Sequence, residues 1–216
     1  MKKTIAVLGL GKYGISLAKC MYDMGADVLV VDKDHERLKE MEGYCTASVC
    51  ADLVNEDEVE MLGLKNMDIV AVAMGGNLSA SIMSVAVAKE QNVPLIVAKS
   101  SSDRMSSILK KIGADKVIVP EEYGGEQSAR ILASNTFLDY FQVDENLCMV
   151  DMLPLPKWVG KNMVELNLRK NYKVNVIAVK NGNTGHWKIL DPNEPLDANN
   201  ELLAVLERDD LHRINR

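Results

Sequence analysis

The sequence predicts an α/β fold: a doubly wound parallel sheet of the Rossmann type, followed by a small α+β domain. Three observations carry that expectation. The chain opens on "TIAVLGLGKYG", an apolar run leading straight into glycines spaced G-x-G-x-x-G. Further apolar runs of strand length then alternate with helix-patterned segments through the first two-thirds of the chain. After Glu145 the pattern changes to short strands joined by turns such as "NGNTG" and "DPNEP". Unbroken apolar strands separated by crossover helices require cover on both faces, the condition of a parallel sheet.

Taken in order, "TIAVL" reads as a buried strand, and Gly11 to Met24 as a helix stopped by Gly25. "DVLVV" is the second strand, ending at Asp32, with a charged helix over Asp34 to Glu42 and a short strand near Ala47 to Cys50. "NEDEVEMLGL" has an Asn at its start, acids in its first turn and Gly63 near its end, which are helix boundary signals. "DIVAVAM", "PLIVAK" and "KVIVP" are the next three strands. Between them lie the helices "NLSASIMSVAVAKEQN" and "SSDRMSSILKKIGA", the second capped by Ser102 or Asp103 and stopped at Gly113. "EEYGGEQSARILASNTFLDYF" spaces its apolar residues as one long helix. Beyond it "CMVDMLPL", "KVNVIAVK", "HWKIL" and "LLAVLE" read as strands of a second domain. The expected divisions are 1–133 for the nucleotide-binding domain, 134–144 for a crossover helix and 145–216 for the small domain.

A length of 216 residues suits a medium domain plus a small one. The net charge of -6 argues against a general nucleic-acid binder. No apolar run approaches the roughly 20 residues of a membrane span. The start "MKKTIAVLGLG" is broken by glycines and reads as a strand rather than a signal peptide, so a cytosolic protein is expected. Cys20, Cys45, Cys50 and Cys148 form no C-x-x-C pair and are expected as reduced thiols, and the twelve methionines as core filler.

In the glycine fingerprint the first residue permits a tight turn, the second a close approach of phosphate, and the third close packing of helix on strand. Those roles fall to Gly9, Gly11 and Gly14. Asp32, at the end of the second strand, is placed to accept ribose hydroxyls, and its charge disfavours a 2′-phosphate. Nucleotide binding is the expectation, and catalysis is not. His35, His186 and His212 all lie away from the strand ends where chemistry would sit, and the second domain is too small to close over a substrate.

These residues resemble a known family. "IAVLGLGKYGISLAKCMYDMGADVLVVDKD", "CADLVNEDEVEMLGL", "IVAVAMGGN", "VAKSSS" and "LKKIGADKVIVPEE" are similar to the cytosolic regulators of Trk/Ktr-type potassium transporters. Those are built on an RCK (regulator of potassium conductance, TrkA-N) domain. The tail "VGKNMVELNLRKNYKVNVIAVKNGNTGHWKILDPNEPLDANNELLAVLER" resembles the family's C-terminal TrkA-C domain. The resemblance implies a gating-ring subunit that binds ATP, ADP or NAD(H). It implies homodimers assembled into an octameric ring at the inner face of the cell membrane, controlling a potassium-translocating partner by differential affinity for two ring shapes.

Carried over, Gly9, Gly11 and Gly14 line the phosphates, Asp32 holds the ribose, and Tyr13 and Lys33 flank them. Asp52 approaches the adenosine end, and Asn77 faces the ligand from a strand-to-helix mouth. Lys12, where relatives often place Arg, and Lys99 are phosphate cations, Lys12 as a point charge rather than a fork. Glu121 matches an acid that helps hold Mg2+ or another cation beside the phosphates. In the tail, Leu168, Arg169, Asn175 and Val176 match a stretch that binds cyclic di-AMP in several relatives. Each has a plainer alternative: solvated lysines for Lys12 and Lys99, a turn cap for Asp52, a helix cap for Asn77, a first-turn helix acid for Glu121, a local ion pair for Arg169. The competing functional reading is a nicotinamide redox sensor or minimal NAD-dependent oxidoreductase.

Overall fold

A computed structural model describes residues 2–134, 136–182 and 185–214. The chain divides into two units, Met1–Glu122 and Tyr123–Arg216.

In the first unit the central strand β1 (Thr4–Leu8) is apolar and almost wholly buried. It pairs in parallel with β2 (Asp27–Asp32) on one side and β4 (Ile69–Val72) on the other. With β3 (Ala47–Cys50), β5 (Leu95–Lys99) and β6 (Lys116–Ile118) the order is β3-β2-β1-β4-β5-β6. The winding reverses between β1 and β4, which opens a crevice at the carboxyl ends of those two strands. Helices α1 (Lys12–Asp23), α2 (His35–Lys39), α3 (Glu56–Glu60), α4 (Leu78–Glu90) and α5 (Asp103–Ile112) connect the strands. One face of the sheet buries Leu8, Val31, Val72, Val85, Ile96 and Leu109. The other buries Val7, Ala18, Val28, Val30, Leu38 and Met41.

The helix boundaries follow their side chains. Asn55, Asn77 and Ser102 each accept a backbone N–H from the first turn of their helix, from Asp57, Ala80 and Met105. Ser102, not Asp103, is therefore the cap of α5, and Gly113 ends that helix at φ 124, a conformation L side chains rarely adopt. The charged helix expected over Asp34 to Glu42 is shorter, with Asp34 as its cap.

The second unit contains most of α6 (Pro120–Leu132), which crosses the boundary between units. Five antiparallel strands follow in the order β10-β9-β11-β8-β7. They are β7 (Phe137–Gln142), β8 (Leu147–Met152), β9 (Asn175–Asn181), β10 (Trp187–Ile189) and β11 (Asn200–Glu207), with short helices α7 (Met163–Leu166) and α8 (Leu168–Asn171) before β9. The four strands expected here are present, and the extra one corrects the long-helix expectation. "FLDYFQ" leaves the helix at Leu132 and pairs with β8, burying Phe137 and Tyr140 in the second core. Aromatic residues suit a pleated surface, and the partner strand overrides the local spacing. That core centres on Trp158, which is fully buried and meets the Tyr172 ring edge-on at 5.1 Å. Asn183 and Thr184 of the expected "NGNTG" turn lie outside the described residues.

Candidate functional site

The crevice at the switch between β1 and β4 is a cleft of about 480 Å³. Its floor is the loop after β1. Gly9 turns the chain at φ 95, and a Cβ there would stand 2.4 Å from Met74 Cγ. Gly14 does not line the cleft but sits beneath it: a Cβ would lie 2.0 Å from the Gly9 carbonyl oxygen, so only glycine lets α1 start this close to the loop. Gly11 lines the cleft with nothing within 4 Å of where its Cβ would be. It is also the cap of α1 and supplies no side-chain acceptor, so the first-turn N–H groups of a 12-residue helix face the floor uncapped. An uncapped helix start of this kind attracts anions.

Asp32 closes one end. Its side chain is 9% exposed, and both oxygens accept backbone N–H groups, Oδ2 from Leu10 at 2.7 Å and Oδ1 from Asp34 at 2.9 Å. A carboxylate has about four lone-pair positions, so capacity for further donors remains. Asp32 thus braces the glycine loop as well as lining the cleft. Beside it stands Arg37, with guanidinium nitrogens 3.5 Å from Asp32 and from Asp34. Lys33 and Asp52 face each other at 3.7 Å on the same side.

At the opposite end Lys99 reaches in from β5. Its side chain is only 16% exposed, its ammonium is 2.6 Å from the Glu121 carboxylate, and it lies 5.9 Å from the centre of the Tyr13 ring. The hydrogen bond from Lys99 holds the Glu121 carboxyl below the ordinary glutamate range. Burial raises the Tyr13 phenol, with Lys99 acting against it. A Cβ at Gly75 would come within 3.0 Å of the Lys99 stem, so glycine in the loop after β4 leaves that stem room. The loop is fixed by Ser81, whose hydroxyl donates to the Met74 carbonyl at 2.6 Å.

The structure therefore brings Gly9, Gly11, Lys12, Tyr13, Asp32, Lys33, Asp52, Asn77, Lys99 and Glu121 to one cleft, with Gly14 behind its floor. The plainer role of Asn77 holds too, since its Oδ1 caps α4 through the Ala80 N–H. Asp52 likewise accepts from the Val54 N–H as a turn residue. Glu121 is a poor cation ligand as placed. It is paired with Lys99, and among the described residues no three His, Cys, Asp or Glu side chains gather to hold a metal. Sequence reasoning missed Arg37, Leu10, Leu53, Met74, Gly75 and Gly76. Arg37 carried a usable signal, one helical turn beyond Asp34 in the first helix after Asp32.

In the second unit Leu168, Arg169, Asn175 and Val176 line one open hollow of about 390 Å³ with Met163, Ile177, Ile189 and Pro192. Leu168 is buried against the second core and contributes apolar floor rather than a contact group.

Family models match both units, the TrkA-N domain over residues 5–120 and the TrkA-C domain over residues 150–216. The Ktr system potassium uptake protein C of Bacillus subtilis (strain 168) is 34% identical over 182 residues, 84% of this chain and 82% of its own length. The Ktr system potassium uptake protein A of the same organism is 34% identical over 178 residues, 82% of this chain and 80% of its own. Among solved structures, the GsuK RCK domain superposes with a TM-score of 0.65 at 14% identity, a likeness of fold. All of this chain is covered in that superposition, and 47% of the GsuK chain.

Proposed function

The chain belongs to the TrkA-N/TrkA-C family, and from that premise we propose that it is the regulatory subunit of a potassium uptake system. It binds an adenosine nucleotide in the cleft of its first unit and acts on a membrane-embedded, potassium-translocating partner. The observation that carries the ligand class is the polarity of the cleft. A braced carboxylate, Asp32, stands at one end, Lys99 stands at the other, and the uncapped start of α1 with Lys12 forms the floor between them. That layout suits ribose hydroxyls at the first end and phosphates at the second.

In this reading Asp32 accepts from the ribose, and Arg37, Lys33 and Asp52 frame the adenosine side. Lys12 and Lys99 neutralise phosphate charge, with Tyr13 and Glu121 holding Lys99 in place. ATP, ADP and NAD(H) share the adenosine part and differ at the phosphate end, where a ligand that favours one conformation of the assembly shifts its population. The assembly is a homodimer built into an octameric ring at the cytoplasmic face of the membrane. The hollow around Arg169 and Asn175 is the candidate seat for cyclic di-AMP.

The test is to denature the purified protein, identify released nucleotide by mass spectrometry, and measure ATP, ADP and NADH binding by calorimetry. Saturable heat with at least one of them is expected. Silence with all three, or steady conversion of NADH by the purified chain, ends the reading.

A further inference from the structure

The sheet of the second unit carries a charged row that the nucleotide site does not use. Side chains alternate between faces along a strand. In β8, Val150 and Met152 enter the second core, so Asp151 between them points to the other face. Asp139 of β7 lies directly opposite Asp151. On its other side Asp151 is opposite Leu203 of β11, and Glu201 stands two residues along on the same face. Glu201 in turn is opposite Lys180 of β9 and forms an ion pair with it. Lys180 also lies over the Trp187 ring of β10, at 5.5 Å.

Three neighbouring carboxylates, Asp139, Asp151 and Glu201, therefore stand together on this face beside the Lys180 ammonium, which Glu201 holds. Asp139 spends Oδ1 on the Tyr140 N–H at 2.7 Å. Asp151 is left worst placed: its Oδ1 is buried and has no hydrogen-bond partner among the described residues. Like charges directly opposite each other destabilise a sheet, and a buried charge without a donor is costly. A proton on Asp151 relieves both at once.

We propose that Asp151 is a proton-binding site that makes the second sheet responsive to pH. In the neutral state it removes one of three negative charges from the row. In the ionised state Asp139, Asp151 and Glu201 repel across β7, β8 and β11, and Lys180 offsets them in part. The proton is taken from and returned to water. Burial raises the Asp151 carboxyl above the ordinary aspartate range, Glu201 and Asp139 add to the shift, and Lys180 opposes it.

The sign follows from linkage. A group that binds its proton more tightly when folded stabilises the fold below its unfolded pKa, and that contribution is lost as pH rises through the folded value. The sensitive window thus opens at the ordinary aspartate range, about 3.9, and extends upward from there.

Infrared difference spectra of the full chain, taken from about pH 4 to pH 8, read the proton directly. The expected result is a protonated-carboxyl band that persists above the ordinary aspartate range and is missing in Asp151→Asn. Thermal unfolding should show the second unit of Asp151→Asn melting roughly 4–8 °C higher at pH 7 than wild type, with a flatter pH dependence. Glu201→Gln, which removes a neighbouring charge and releases Lys180, should move the midpoint of the band's loss to lower pH. A wild-type spectrum without the band above the ordinary range overturns the proposal whether or not either variant folds. So does a midpoint that ignores Glu201→Gln.

Discussion

The two units handle a half-hidden carboxylate in opposite ways. In the parallel sheet, Asp32 meets two backbone donors, the N–H groups of Leu10 and Asp34. In the antiparallel sheet, Asp151 meets two carboxylates and keeps a buried oxygen with no donor among the described residues. The backbone at the end of a strand offers free N–H groups, whereas the middle of a sheet has spent them on its neighbours. An acid at a strand end can therefore be a fixed grip, and one in mid-sheet becomes a place where a charge is added or removed.

The comparison breaks most visibly at the second core. Trp158→Ala should cost about 3–5 kcal/mol of stability in the second unit, because it empties the largest buried volume there. If the units are separable, nucleotide affinity measured by calorimetry stays within about twofold of wild type (under 0.5 kcal/mol). A larger loss would show that the cleft depends on the second core.

Next in size is Gly14→Ala. Its methyl group would stand 2.0 Å from the Gly9 carbonyl oxygen, a backbone atom that cannot swing aside. The loop and α1 must separate, at a cost of about 1–3 kcal/mol in the first unit, with nucleotide binding lost alongside. Unaltered denaturant midpoints and affinity would place the helix start elsewhere.

Asp32→Ala sharpens the contrast between grip and switch. It removes the acceptor of a buried Leu10 N–H as well as the ribose contact. We expect about 1–3 kcal/mol of lost stability together with at least a tenfold drop in affinity. Affinity lost with stability intact would mean that Asp32 touches ligand but does not brace the loop.

The smallest effect belongs to Lys99→Met, which keeps the length of the stem and removes the charge. ATP should lose more affinity than adenosine, by about tenfold, or 1.4 kcal/mol. Equal losses for both would move Lys99 away from the phosphate end. With Lys99 gone the Glu121 carboxyl should titrate higher, back toward the ordinary glutamate range, which a pH titration of the variant would read.

The parallel sheet, its glycine loop and most of the cleft are legible in the chain's own residues. Each of those features is written in neighbouring residues: "GLGKYG" imposes the turn, Asp32 ends the strand beside it, and strong apolar runs mark β1, β2, β4 and β5. The remainder depended on which strands and helices met in the fold. "FLDYFQ" became a strand because β8 was there to pair with it, and Arg37 joined the cleft because α2 turns it back toward Asp32. Asp139, Asp151 and Glu201 are far apart in the chain, and a register shift of one residue in any strand would have put that strand's acid on the opposite face. Local chemistry constrains backbone conformation within a few residues, whereas the meeting of distant charges is fixed only when strands choose their partners.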